Sequence, residues 1–387
     1  MWCVFEFWMA RQVEGCHLEI ILPQEDGSSF CARLESRGLQ EVGRLFQRVQ
    51  LQQASTTSPD DRDNILKLVD PQAVDYNDSR RVDALNAEVA RHLLRWLAKA
   101  AADVAEDLLK AEAGVPATPC IHAATLTRYS ADVSKAVDLL ERCKRKAEAA
   151  GATTTTEYAT LFRNMGVCFA SQGDQRKAME LYGWAEQAFQ AAGATKTLEY
   201  AYLLRNMGVC FGMQGDQSKA RELYGRAEQA FQARGATKTP EYASVLSDMS
   251  ACFSNQGDWS KAMELFGRAE QAFQAAGATK TPEYAYLLRH RGVCFASQGD
   301  QSKARELYGR AEQAYQAAGA TNTLSYAYLL RNMGVCCDGQ GDQSKARELF
   351  GRAGQAFQAR GATKAPEYAS LLRSMGAGGD ITSSTDW

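Results

Sequence analysis

The sequence predicts an all-α protein, a right-handed α-solenoid of tandem helix-turn-helix units, preceded by a small incomplete α/β segment. Three observations predict it. The triplet Gly-Ala-Thr opens at Gly151, Gly193, Gly235, Gly277, Gly319 and Gly361, so the period is 42 residues, and a fixed period of this size is the mark of stacked supersecondary units. Inside each period, apolar residues recur at helical rather than alternating spacing. Helix starts and stops fall at the same places in every period.

The period from Gly277 shows the punctuation. Thr281 can cap a helix, Pro282 suits its first turn and Glu283 favours its positive end. Gly299 permits the left-handed stop, Asp300 caps a second helix, and that helix runs to about Ala318 before Gly319 repeats the stop. In the period from Gly193, the second helix carries one apolar stripe of Ala220, Leu223, Tyr224, Ala227, Ala230 and Phe231. The first helix carries Leu204, Met207, Gly208 and Phe211. A mid-helix glycine costs roughly 1 kcal/mol of propensity, so Gly208 and Gly225 are both expected where two helices approach closely.

Composition narrows the function classes. The chain has 387 residues, 45% of them hydrophobic and 23% charged, with a formal net charge of −2. That balance offers no global attraction for nucleic acid or an anionic membrane. No run approaches the ~20 apolar residues that span a bilayer. Of eleven cysteines, Cys168, Cys210, Cys252, Cys294 and Cys336 recur at one place in the period; they read as small buried apolar side chains rather than a disulfide framework or a zinc site. "MWCVFEFWMA" lacks the basic start of a signal peptide and contains Glu6. The expectation is a cytoplasmic protein without cofactor or metal.

The order glycine, aromatic, turn glycine, alanine, aromatic, alanine, held here by Gly208, Phe211, Gly215, Ala220, Tyr224 and Ala227, resembles the tetratricopeptide repeat. Gly166 to Ala185 and Gly292 to Ala311 repeat it, whereas Ser250 and Cys337 depart from it. The 42-residue period and the asparagine before the apolar residue of the first helix resemble the kinesin light chain variety. Five full units then occupy 151–360 within a solenoid over 118–376, with a degenerate unit before them and a half unit after. Residues 76–117 are expected as a helical connector or cap, with a helix over 81–113 whose Val82, Leu85, Val89, Leu93, Leu97, Val104 and Leu108 share one side. Residues 377–387 read as a disordered tail.

Residues 1–75 differ in kind: "HLEIILP" from His17 and "RVQLQQ" from Arg48 read as short strands among helical patterns. "WCVFEF" resembles the tryptophan-cysteine-x-x-glutamate motif of Toll/interleukin-1 receptor domains, whose NAD-cleaving members use the glutamate that maps onto Glu6. The first half of such a domain has no counterpart here, and a carboxylate without a site to position it contributes little to catalysis. The segment is therefore expected to be a non-catalytic remnant.

A helical wheel with Leu204 at zero puts the apolar stripe within about 60° and turns Tyr202, Arg205, Asn206 and Val209 to the far side. In the resembling family that side lines a concave groove for partner peptides. The expected peptide-binding residues are Arg163, Asn164, Tyr202, Arg205, Asn206, Tyr286, Arg289, Tyr328, Arg331 and Asn332. Arginine forks match carboxylates, asparagine matches peptide backbone, and tyrosine adds apolar area. The expected partner is an extended, acidic protein or peptide segment. Two alternatives stay open: an NAD-cleaving or signalling remnant that uses Glu6, and a structural solenoid that self-associates. The units from Gly193 and Gly277 differ at only seven positions, so duplication alone would also repeat the arginines, stacked on a neighbouring tyrosine for structural reasons.

Overall fold

The computed structural model describes Lys67 and residues 80–111, 114–130, 132–321, 323–359 and 366–374. Residues 1–66, with both expected strands and Glu6, and the tail at 377–387 lie outside the described residues. Among the described residues the regular elements are fourteen α-helices. The chain divides into two compact units, Met1–Arg234 and Gly235–Trp387.

The first unit holds α1 (Arg80–Lys110), α2 (Ala117–Tyr129), α3 (Val133–Ala149), α4 (Thr156–Ser171), α5 (Gln175–Ala191), α6 (Leu198–Met213) and α7 (Gln217–Ala233). Its buried line on α1 keeps Leu97 of the expected one and departs from it further along. Leu97, Ala98, Ala101, Ala102 and Ala105 are buried, while Val104 and Leu108 are only half covered. Alanines let α2 and α3 approach closely, and the longer residues flank the contact. Arg142 on α3 grips both carboxylate oxygens of Glu106, at 2.7 Å each. Lys146 Nζ donates to the carbonyls of Leu108 and Leu109, each at 3.2 Å, and to Ala111 O. A cation thus closes the negative end of α1.

The second unit holds α8 (Pro240–Asn255), α9 (Trp259–Ala275), α10 (Pro282–Ser297), α11 (Gln301–Ala317), α12 (Leu324–Asp338), α13 (Gln343–Ala359) and α14 (Pro366–Ser374). Each unit is a run of helical hairpins, and the caps follow the sequence. Thr155, Thr197, Thr239, Thr281 and Thr323 each accept the backbone N–H of a tyrosine three residues on. Asp174, Asp216, Asp258 and Asp300 accept that of a lysine before the second helix of the pair. Between the two, Gly215 turns at φ +88 while Asp216 N donates back to Phe211 O at 3.0 Å; a side chain at that φ would be strained.

The seam within four of the hairpins is a glycine against a ring, and Ser250 stands at that place on α8. A Cβ on Gly208 would stand 2.5 Å from Tyr224 Cε1, and Gly166, Gly292 and Gly334 meet Tyr182, Tyr308 and Phe350 just as closely. Gly225 is different: a Cβ there would meet nothing within 4 Å, so the expected close approach is absent and the residue simply faces open space. Phe211 is also less central than its place in the stripe suggested. It is half-buried, whereas Tyr200, Ala201, Leu203 and Cys210 join Leu204, Met207 and Gly208 in the core. At the same position Phe169 and Phe295 lie beneath Lys177 and Lys303, 5.6 and 5.2 Å from the ammonium nitrogens. The five repeat cysteines are all buried. Burial pushes the Cys168 and Cys210 thiols up to about 11 and raises those of Cys294 and Cys336 as well.

Candidate peptide-binding faces

The side of each first helix that turns away from the core carries the expected binding residues, and each unit presents its own set. In the first unit, Arg163 and Asn164 stand on α4, and Tyr202, Arg205 and Asn206 stand on α6. All five are partly covered rather than fully exposed. Arg163 Cζ lies 5.5 Å from the centre of the Tyr202 ring, and that ring leans on Phe231 of α7 at 5.7 Å. Asn164 Nδ2 donates to Thr160 O of its own helix at 2.8 Å, which commits one of its two amide donors.

In the second unit, Tyr286 and Arg289 stand on α10, and Tyr328, Arg331 and Asn332 on α12. Arg289 Cζ sits 5.3 Å from the Tyr286 ring and 5.8 Å from the Tyr328 ring, so it bridges two hairpins. Tyr328 packs on Phe357 at 5.2 Å. Arg331 Nη2 donates to Ser370 Oγ at 2.8 Å and its Nη1 lies 3.5 Å from Asn332 Oδ1. Val335 on the same helix is 48% exposed. The arginine-on-tyrosine stacks of Arg163 and Arg289 are thus part of the fold, and they orient those two guanidinium planes before any ligand arrives.

Burial shapes the electrostatics of these arginines. Burial lowers the Arg163 guanidinium from its ordinary value, against the weaker pull of Tyr202 and Glu199. Among the described residues, Nε of Arg163, Arg289 and Arg331 is buried without a hydrogen-bond acceptor. A desolvated donor left unpaired costs free energy that an incoming oxygen recovers.

One residue on this face lay outside the list of expected sites. His290 occupies the place held by Asn206 two periods earlier and by Asn332 one period later. Its ring lies 4.2 Å from that of Tyr286, and its Nε2 is 2.5 Å from Arg289 Nη2. Burial, then the Arg289 charge, holds it well below the usual histidine range, so it is neutral and accepts from Arg289. Asp248 occupies the same place on α8 and Ser247 the place of the arginine, so the hairpin of α8 and α9 breaks the basic column. Reading that column position by position in the sequence would have found all three.

Comparison with known proteins agrees with the repeat. The tetratricopeptide repeat family model matches residues 241–317, which run from α8 to the end of α11. Among solved structures, the Cut9–Hcn1 hetero-tetramer of the APC/C aligns with TM-score 0.55 at 14% identity, over 90% of this chain and 57% of that one. The apo form of RapI aligns with TM-score 0.54 at 12% identity, over 70% and 94%. A putative kinesin light chain from Podosopora anserina with nearly identical TPR-like repeats gives TM-score 0.43 at 13% identity, over 53% and 97%. No curated protein matches the sequence.

Proposed function

We propose that this chain, a tetratricopeptide repeat protein, is a non-catalytic protein-interaction scaffold whose first-helix faces hold an extended acidic segment of a partner protein. The observation that carries the reading is Arg163: a guanidinium already stacked on Tyr202, lowered by burial, with its Nε lacking an acceptor among the described residues. In the second unit Arg289 is likewise stacked on Tyr328, and Nε of Arg289 and of Arg331 is buried without an acceptor among the described residues. A carboxylate would supply the missing acceptor, and the stack has already removed much of the side-chain entropy that binding otherwise costs. Asn164 and Asn206 suit the ligand's peptide groups, and Val335 supports an apolar contribution. Extended peptide advances ~3.3 Å per residue, so carboxylates about three residues apart match helices spaced on the order of 10 Å.

Among the described residues no helix is long and apolar enough to cross a membrane. A cytoplasmic location fits the buried, raised thiols, which a reducing compartment would leave unpaired. The test is titration with an oligo-glutamate peptide at two salt concentrations. Binding should weaken at high salt, fall at least tenfold for Arg163→Glu combined with Arg289→Glu, and stay unchanged for Lys219→Glu on a second helix. Retention of full affinity by the double variant would sink the reading. Turnover of NAD that depended on Glu6 would replace it with the enzymatic alternative.

A further inference from the structure

A second surface stands out where the repeat changes its own rule. At three places a carboxylate, a tyrosine hydroxyl and an arginine from consecutive second, first and second helices are linked. Tyr200 Oη donates to Glu186 Oε1 at 2.9 Å and accepts from Arg226 Nη2 at 2.7 Å. Glu270, Tyr284 and Arg310 repeat the link at 3.1 and 2.8 Å, and Glu312, Tyr326 and Arg352 at 2.9 and 2.9 Å. One period before Glu186, Tyr200 and Arg226 stand Lys144, Tyr158 and Trp184. The acid has become a base and the arginine an indole. Phe162, which replaces the Leu204 of the next period, completes the change.

These substitutions make a hollow of about 540 Å³ between α3, α4 and α5. Tyr158 meets Phe162 edge-on at 5.1 Å, and Phe162 meets Trp184 edge-on at 5.7 Å. Trp184 remains 42% exposed, an unusual state for an indole that is also pinned by a neighbouring ring. Lys144 is the one charged side chain lining the hollow. Its partner Glu148, at 3.1 Å, also accepts from Tyr158 Oη at 2.9 Å, so the ammonium keeps donors to spare. Tyr200 and its counterparts lie on the opposite flank of the first helix from Arg205, so this surface is separate from the binding face described above.

We propose that the Lys144–Tyr158–Phe162–Trp184 hollow is a second docking surface, which takes one aromatic side chain of a partner segment together with a carboxylate beside it. The rings accept the aromatic group by edge and face contact, and the rigid indole is the residue type that carries interface energy. Lys144 selects for acid by charge complementarity, where every later link of the repeat would repel it with a glutamate.

The test uses the full chain with the pentapeptide Asp-Asp-Phe-Asp-Asp, followed by the Trp184 indole N–H resonance, assigned by its loss in Trp184→Arg. Saturable movement of that resonance is expected. Affinity should fall at least fivefold when phenylalanine is replaced by alanine, and again when the four aspartates become lysines. Lys144→Glu should weaken it by a similar factor, and Trp184→Arg should abolish binding seen by calorimetry. Because arginine is native at this place in four later periods, that variant folds. Arg163→Glu should leave this binding intact, which separates the hollow from the proposed groove. No movement, or equal binding of the alanine or lysine peptides, would overturn the proposal.

Discussion

The first junction of the repeat and the later ones share a backbone frame yet end in opposite surfaces. At Glu186–Tyr200–Arg226 the three polar groups satisfy one another, and the arginine also lies 3.5 Å from the carboxylate. At Glu270 the arrangement tightens: Arg310 Nη2 is 2.5 Å away, and Arg291 pairs with the other oxygen. At Lys144–Tyr158–Trp184 Glu148 accepts the tyrosine's hydrogen bond, the arginine is missing from the chain, and an indole is left facing solvent. A repeat therefore separates two tasks. The glycine-on-ring seam and the Thr and Asp caps build the hairpin, while the junction residues decide whether the surface is closed or open to a partner.

The comparison breaks most visibly at Glu270. Burial would raise this carboxyl, but Arg310 and Arg291 outweigh it and hold it below the usual range. Glu270→Gln should cost about 2 kcal/mol in urea unfolding, because it leaves two partly covered guanidinium groups without their anion. Part of the loss is recovered by water, since Arg310 is 39% exposed. Glu148→Gln at the open junction should cost under ~0.5 kcal/mol, as expected of a pair near solvent. Equal costs would show that the two junctions do not differ in the way described.

Acid separates the regions next. His290, facing Tyr286 and Arg289, is held below its usual value of 6.5. Its unfolded form binds a proton first, so stability is complete above pH 6.5 and declines as pH falls towards the folded value, by at most about 1.4 kcal/mol per pH unit. Glu270 acts lower down: its contribution stands above the ordinary 4.5 and is lost only as pH falls through its depressed value. The second unit should thus lose protection before the first between pH 6.5 and 5, as read by hydrogen exchange. His290→Asn, which copies Asn206 and Asn332, should remove the difference.

Rebuilding the link is a smaller effect. Lys144→Glu with Trp184→Arg should restore the polar chain to Tyr158 and raise stability by ~0.5–1 kcal/mol, with coupling between the two changes in a double-mutant cycle. The smallest effect is a control on the frame. Gly183 and Gly225 sit in helix interiors beside Trp184 and Arg226, and a Cβ at either meets nothing within 4 Å. Each glycine-to-alanine change should therefore stabilise by about 0.5 kcal/mol, alike at both junctions. Unequal gains would mean that the junction, and not only the helix, sets the local cost.

Much of the fold was legible because period, caps and stripe are local properties. Thr281, Asp300 and Gly299 announce their roles within three residues of where they act. The limits of each stripe were less legible. Whether Gly225 meets a ring as Gly208 does, or whether Val104 or Ala105 reaches the core of α1, depends on where a neighbouring helix lies, which helical angle alone does not fix. The expected binding residues were named from the wheel, but the stacking of Arg163 on Tyr202 and of Arg289 on Tyr328 needed the next hairpin in place. The hollow was hardest to read. Lys144, Phe162 and Trp184 lie on three helices, and each alone looks like an ordinary departure from the repeat.

The buried cysteines have a practical consequence. One thiol recurs per hairpin, shielded to a similar degree, with burial suppressing the thiolate that alkylating reagents attack. Each is therefore silent until its own hairpin opens. Timed labelling followed by peptide mass analysis would turn Cys168, Cys210, Cys252, Cys294 and Cys336 into evenly spaced clocks, which record where along the chain opening begins and in which direction it spreads.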